Sequence, residues 1–479
     1  MTLTPGALAP WLLAALLAAL LSWLGMAATL ERTGRQAHGY LHAVVPALLL
    51  IMAAGVWLGG RDLTSNFLLP EFRPDPPRPP LLDAVQPVVS LLLLAVSFER
   101  ILTRCLFQNL EAIGLPLVFL LFWLGSTASP AWLGAHPVWS HDLLYPLVIG
   151  LAATLASPGD TERVLRWSRD ALLLLMLAGV LLIPWRTTLV LDLNYQQGLI
   201  AGLPRFGGLA THPVAMGLLA QLGLLCLLAR PLRLVWLNRA AWLLGLGVLV
   251  LAQSKTAWLA FILCSALILA YRVGPRLGRQ LADVQQPTGI LMVLGLLLLA
   301  LAALLAALVL GDGLWIERLL HTPEGQQLQS LTGRDRIWAI AWEEWQAHRT
   351  FGWGPQIWGE AYRQSIGLAN ATHAHNQLMD TLSRSGLVGA TALVLYSLVL
   401  CALSWRLARK TQGLSLALLL ALLLRGGSEV PLLLMGYGPD LIAHLLLLMV
   451  LATPTVRAAR SAPQAAQAQM PAGLGGHRA

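Results

Sequence analysis

Residues 211–279 read THPVAMGLLAQLGLLCLLARPLRLVWLNRAAWLLGLGVLVLAQSKTAWLAFILCSALILAYRVGPRLGR. Three apolar runs, at about 211–229, 240–252 and 256–272, fill this stretch. The first connection carries Arg230, Arg233 and Arg239 and the second is Gln253-Ser254-Lys255-Thr256; Arg272, Arg276 and Arg279 close the stretch. A bilayer core takes about 20 apolar residues per helix. Lipid offers no partner to an unpaired backbone group, so such runs cross as helices. Arginine connections that alternate with a nearly uncharged turn mark a chain passing back and forth with its basic side held constant.

The same pattern extends in both directions. Further spans are expected at 8–30, 39–59, 81–97, 110–126, 142–156, 170–185, 288–310, 384–405, 412–425 and 437–452. Of the 479 residues, 57% are hydrophobic and 11% charged, which excludes an ordinary soluble protein, a disordered chain and a nucleic-acid-binding domain. The expected fold class is an all-α polytopic membrane protein with about 12–13 transmembrane helices and one long, partly helical periplasmic segment. The expected organisation is a bundle over 1–310, that segment over 311–380, C-terminal spans over 381–452 and a disordered cytoplasmic tail over 453–479. The four cysteines (Cys105, Cys226, Cys264, Cys401) lie apart in or beside apolar runs and suggest no disulfide framework. The N-terminus has no basic region ahead of its apolar run, so no cleavable signal is expected.

The net charge of +9 resides largely in short arginine segments at 32–35, 100–104, 163–169, 230–239, 272–279 and 406–410 and in the tail. The positive-inside rule puts these in the cytoplasm and puts 61–79, 126–141, 186–210, 253–255, 311–380 and 426–437 outside. Trp132, Trp139, Trp185, Trp315 and Trp353 fall near span ends on that outer side, as in an interfacial aromatic belt.

Four outer clusters could carry chemistry, since ionisable groups at membrane level are costly. In Thr372-His373-Ala374-His375-Asn376, Thr372 is expected to cap a helix. His375 would then lie in the first turn, where the positive helix end keeps it neutral and fit to be a general base. On a helix His373 would point the other way. The pair reads equally as structural histidines. A metal reading is weaker, because no acidic cluster or HExxH pattern flanks it. Gly333-Arg334-Asp335-Arg336 precedes an amphipathic pattern through Trp338 and Trp345; its guanidiniums suit a pyrophosphate, or simply a solvated helix start. Arg205-Phe206-Gly207-Gly208 with His212-Pro213 suits an anion at a helix start, or a plain turn. Lys255 is a phosphate contact or a snorkelling anchor. No nucleotide-binding loop appears, so a lipid-linked pyrophosphate donor fits these cations and one base.

His375-Asn376, nine residues, then Gly386-Leu387-Val388-Gly389 resembles the signature of the O-antigen ligase family, within the O-antigen ligase and polymerase superfamily. Gly333-Arg334 with Trp338, Phe351-Gly352-Trp353-Gly354, Arg205 through His212-Pro213 and Ser254-Lys255-Thr256 resemble it too, over roughly residues 200–452. The resemblance implies a bacterial inner-membrane glycosyltransferase without metal or cofactor. It would move O-antigen polysaccharide from undecaprenyl pyrophosphate to lipid A–core, at the periplasmic face and with inversion. Carried over by motif, His375 is the expected base and Arg334 and Lys255 the expected pyrophosphate contacts. Arg205, His212, Arg336, His373 and Asn376 complete the expected substrate-binding set. Lys255 departs from the arginine often found there and offers a point charge in place of a fork. An O-antigen polymerase, a protein O-oligosaccharyltransferase and a transporter of lipid-linked glycan are the competing readings. The short 186–210 segment favours ligase over polymerase, and the nearly charge-free spans disfavour a transporter.

Overall fold

A computed structural model describes residues 5–33, 39–64, 79–107, 113–195, 202–282, 334–368 and 371–468, with isolated positions between 291 and 301. The chain is an all-α polytopic membrane protein. Its first half forms α1 (Pro5–Thr33), α2 (Val44–Gly59), α3 (Pro80–Phe107), α4 (Gly114–Trp123), α5 (Ser129–Leu133), α6 (Leu144–Thr154), α7 (Pro158–Leu181) and α8 (Thr187–Val190). Then follow α9 (Pro213–Ala229), α10 (Val235–Leu251), α11 (Lys255–Ala282), α12 (Arg334–Ala347), α13 (Glu360–Ser365), α14 (Gln377–Leu407), α15 (Leu414–Gly426) and α16 (Pro439–Ala468). Two strands of two residues, β1 (Leu191–Asp192) and β2 (Arg205–Phe206), pair antiparallel with Asp192 opposite Arg205. Among the described residues, five helical stretches are long and apolar enough to cross a membrane and six shorter ones are apolar.

The expected spans coincide with helices except 288–310, which lies almost wholly outside the described residues, as does 311–333. The span expected at 170–185 is shifted: α7 already begins at Pro158 and takes in Arg163, Arg166 and Arg169, which the sequence assigned to a connection. A capping box supplies the start signal, because the Ser157 side chain accepts from the Asp160 amide while Asp160 accepts from the Ser157 amide. Two of these arginines are paired, Arg166 with Glu162 and Arg169 with Asp170. Arg100, likewise expected in a connection, sits inside α3, fully buried against Asp160 at 3.0 Å. Helix α16 continues to Ala468, past the boundary expected at 453.

The long axis of the bundle has a basic end and an opposite end. Ser22 and Gly25 of α1 touch Ala95 and Glu99 of α3, so the two helices run parallel, toward the basic end. Helices α9 and α16 form the centre: residues 215–227, and 441–452 nearly throughout, are buried. Hydrocarbon tails are as apolar as leucine, so close packing rather than water exclusion holds such helices together. Gly217 permits one such approach: a Cβ there would come 2.7 Å from the Ser254 Cβ. It lets α9 lie against the start of α11 directly beneath the functional cluster.

Candidate functional site

At the end opposite the arginines, four short connections converge: 202–212, 252–256, 371–376 and 427–432. Thr256 and Ser428 hydroxyls meet at 3.3 Å, the Arg205 Nε donates to the Ala252 carbonyl at 3.0 Å, and the Leu432 amide donates to the Gln377 side chain at 2.7 Å. These bonds draw residues far apart in sequence into one cluster.

The histidine loop differs from its expected form. Asn376, not Thr372, caps the helix: its backbone is extended and its Oδ1 accepts from the Leu378 and Met379 amides at 3.0 and 3.1 Å. An extended asparagine satisfies two orphan amides at once. His375 therefore lies just outside α14, with a φ of +49°, so the first-turn argument for its protonation state does not apply. A left-handed backbone at a non-glycine residue is a strained conformation of the kind that clusters at functional sites. Among the described residues two others share it, and one is Gln253 in the neighbouring turn.

The loop is clamped at its middle residue. The Ala374 carbonyl accepts from the Trp338 indole at 2.8 Å, and the Ala374 amide donates to Asp380 at 3.1 Å. Asp380 is held by Arg384, which also donates to the Pro355 carbonyl. The two histidines consequently face the same way, contrary to the helical expectation, with ring centroids 4.2 Å apart. Both point at Glu429: His373 Nε2 lies 3.2 Å and His375 Nδ1 3.3 Å from Glu429 Oε2. The His375 amide donates to His373 Nδ1 at 3.1 Å, so neutral His373 carries its proton on Nε2, toward the carboxylate. His375 Nδ1 is buried with no other partner. A carboxylate there favours the proton on Nδ1 and leaves the Nε2 lone pair free. The His375 side chain remains 26% exposed, enough to meet a substrate.

Glu429 had no place in the sequence reading. Burial pushes its carboxyl up, but His375, Arg425 and His373 outweigh burial and pull it down to about 2. Burial, then the charge of His375, lowers the pKa of His373. The available signal was a single acid in the short segment Gly426-Gly427-Ser428-Glu429 between apolar helices. Arg61 was also missed. It is an arginine on the side where the positive-inside rule depletes arginine. It donates to the carbonyls of Leu189, Ala210, Thr211 and Gly208 and so shapes the loop that presents His212. His212 caps α9 through Nδ1, which accepts from the Val214 amide at 3.2 Å. Its imidazole pKa is lowered by the surrounding protein and next by Arg205.

The expected cations divide. Arg205 is buried, and its guanidinium lies 4.5 Å from the Tyr195 ring centroid, so only its terminal nitrogens are left to face a ligand. Lys255 is half-buried as the first residue of α11, beside the carbonyl that Arg205 binds. Arg334 opens α12 one turn before Trp338, hence on the face that meets the histidine loop. Arg336 is exposed and turns to the Ile366 carbonyl at 3.2 Å, away from the cluster. The metal-binding atoms of His373, His375 and Glu429 lie within 4.8 Å of one another, near enough to hold a metal ion. The acid that the sequence lacked beside the histidines is thus supplied by the tertiary fold.

Fold and site define a multi-pass helical membrane protein with a strained, carboxylate-backed histidine pair at the end away from its arginines. Residues 240–394 match the family model described as O-antigen ligase. This agrees with the resemblance carried by the motifs, and the stretch is similar to the O-antigen ligase family. It carries Lys255, Arg334, Arg336, His373, His375 and Asn376, while Arg205, His212 and Glu429 lie outside it. No curated protein matches the chain.

Proposed function

We propose that the protein is an O-antigen ligase that transfers a glycan from undecaprenyl pyrophosphate to lipid A–core at the periplasmic face of the bacterial inner membrane. The observation that carries this reading is the His375–Glu429 contact, which joins a histidine of the family-matched stretch to a carboxylate beyond it, beside cations. His375 Nε2 takes the proton of the acceptor hydroxyl, and that oxygen attacks the anomeric carbon as the bond to the pyrophosphate oxygen breaks. Glu429 stabilises the imidazolium that forms, as an orienting acid does behind a catalytic histidine. Arg205, Lys255 and Arg334 stabilise the charge on the departing lipid pyrophosphate. His373, neutral, helps hold the carboxylate, and Asn376 sets the loop through its cap.

The test is transfer of undecaprenyl-pyrophosphate-linked glycan to purified lipid A–core. General-base catalysis is worth about 10²–10⁴-fold, so His375→Ala should lose about that much while binding donor normally. Glu429→Gln should lose less and shift the pH profile, because it leaves the base in place but unsupported. A near wild-type rate for His375→Ala across about pH 6–8 sinks the base assignment.

A second reading is favoured by one observation, the closeness of the three possible metal ligands. There His373, His375 and Glu429 would hold a divalent cation. Both imidazole nitrogens would then have to be deprotonated toward the site. Activity lost to a chelator and restored by Zn²⁺ or Mn²⁺ selects this reading; activity indifferent to chelation selects the base.

A further inference from the structure

At the basic end, opposite the histidine cluster, lies a cavity of about 750 Å³ between α7, α9, α11, α15 and α16. Its polar wall holds Arg230, Arg272 and Lys410, and Leu165, Leu414 and Val450 give it an apolar wall. The cations are under-compensated. Among the described residues, Glu162 is the one carboxylate in the lining; it contacts Arg230 at 2.6 Å and is shared with Arg166 at 2.8 Å. Arg272 donates to the Leu228 and Ala229 carbonyls at 2.6 and 3.2 Å, yet its Nε is buried with no partner. The N-terminus of α7, at Pro158, opens onto the same space and adds its positive end.

We propose that this cavity is a phosphate-binding site, filled by the headgroup of an anionic phospholipid or by free phosphate. Surplus cations and a helix N-terminus recognise the phosphoryl oxygens. The apolar wall suits the glycerol and first acyl carbons of a lipid, and basic pockets between transmembrane helices are where such headgroups bind. The site is independent of the transfer reaction at the other end and does not rest on the function proposed above.

The full-length protein is reconstituted in phosphatidylcholine nanodiscs with and without phosphatidylglycerol, and bound lipid is counted by native mass spectrometry. Retention of phosphatidylglycerol, with inorganic phosphate unable to compete, assigns the site to a lipid. Stabilisation by inorganic phosphate in phosphatidylcholine alone assigns it to the free anion. Lys410→Glu, an exposed change that touches no helix-end bond, should weaken the effective ligand about fivefold or more. Arg272→Gln should weaken it further, provided the variant elutes as a folded monodisperse species. If neither ligand binds, or if binding is the same in Lys410→Glu and folded Arg272→Gln as in the parent, the proposal is overturned.

Discussion

Glu429 shows how much one side chain depends on its neighbours. The carboxyl titrates near 4.5 in an unfolded chain and near 2 in this fold. A carboxyl depressed on folding stabilises the native state above its unfolded pKa, and that contribution fades as pH falls through the folded one. The window is therefore from about pH 4.5 down to about 2, and the contribution is on the order of a few kcal/mol. In detergent, thermal unfolding of the parent should shift steeply across this window, and Glu429→Gln should flatten that part of the curve. Equal slopes for the two proteins would show that the carboxyl is not held down by the histidines and Arg425. Asn376 makes a second case. Asn376→Ala removes a cap that serves two amides and should cost about 1 kcal/mol, whereas Asn376→Ser keeps an acceptor in place and should cost less. If Asn376→Ser folds normally yet loses transfer as completely as Asn376→Ala, the residue contacts substrate and is more than a cap.

Helix α14 carries the glycines of the family motif, and the structure supplies their reason. Gly386 has a φ of +60° and breaks the helical geometry inside α14. At this kink the Leu387 and Val388 amides donate to the Arg349 and Thr350 carbonyls at 2.8 and 3.1 Å. A Cβ on Gly386 would lie 2.5 Å from the Thr350 carbonyl carbon and oxygen, and backbone cannot step aside as a side chain can. Gly386→Ala should therefore destabilise by more than the ~1–3 kcal/mol of a strained backbone alone, and folded yield should fall sharply. Gly247→Ala on α10, where a Cβ meets nothing within 4 Å, is the control and should be neutral or slightly stabilising. Fluorescence-detected size exclusion after a heating series compares them; a Gly386→Ala protein as stable as the control would remove the argument.

For the whole molecule, the division between ends makes a prediction about sidedness. Cys105, near the basic end of α3, is exposed and free. Ser365, at the end of α13, is exposed on the histidine side. The positive-inside rule expects the arginine end in the cytoplasm; an impermeant thiol reagent applied to cells with an opened outer membrane should then label Ser365→Cys and spare Cys105. Cys105 should react only after the inner membrane is permeabilised. The reverse order would invert the molecule and move the site to the cytoplasmic side.

The fold class was legible in the sequence because lipid imposes two strict demands, runs of apolar residues and helices to pair the backbone, and both leave marks in a linear chain. The basic and opposite ends were legible through the arginines. The amphipathic pattern before the Phe351-Gly352-Trp353-Gly354 breaker also formed the helix expected of it, α12. Helix boundaries were less visible: Ser157 and Asp160 start α7 ahead of its apolar run, because a cap overrides a charge count. The tertiary structure alone decided that His373 and His375 share a carboxylate. The clamp on Ala374 comes from α12 and from Asp380, and Glu429 arrives on a connection between two later helices. Spacing along a chain reports orientation only where the backbone is regular. At His375 the backbone turns left-handed, so its direction and its partner were set by packing from segments distant in sequence.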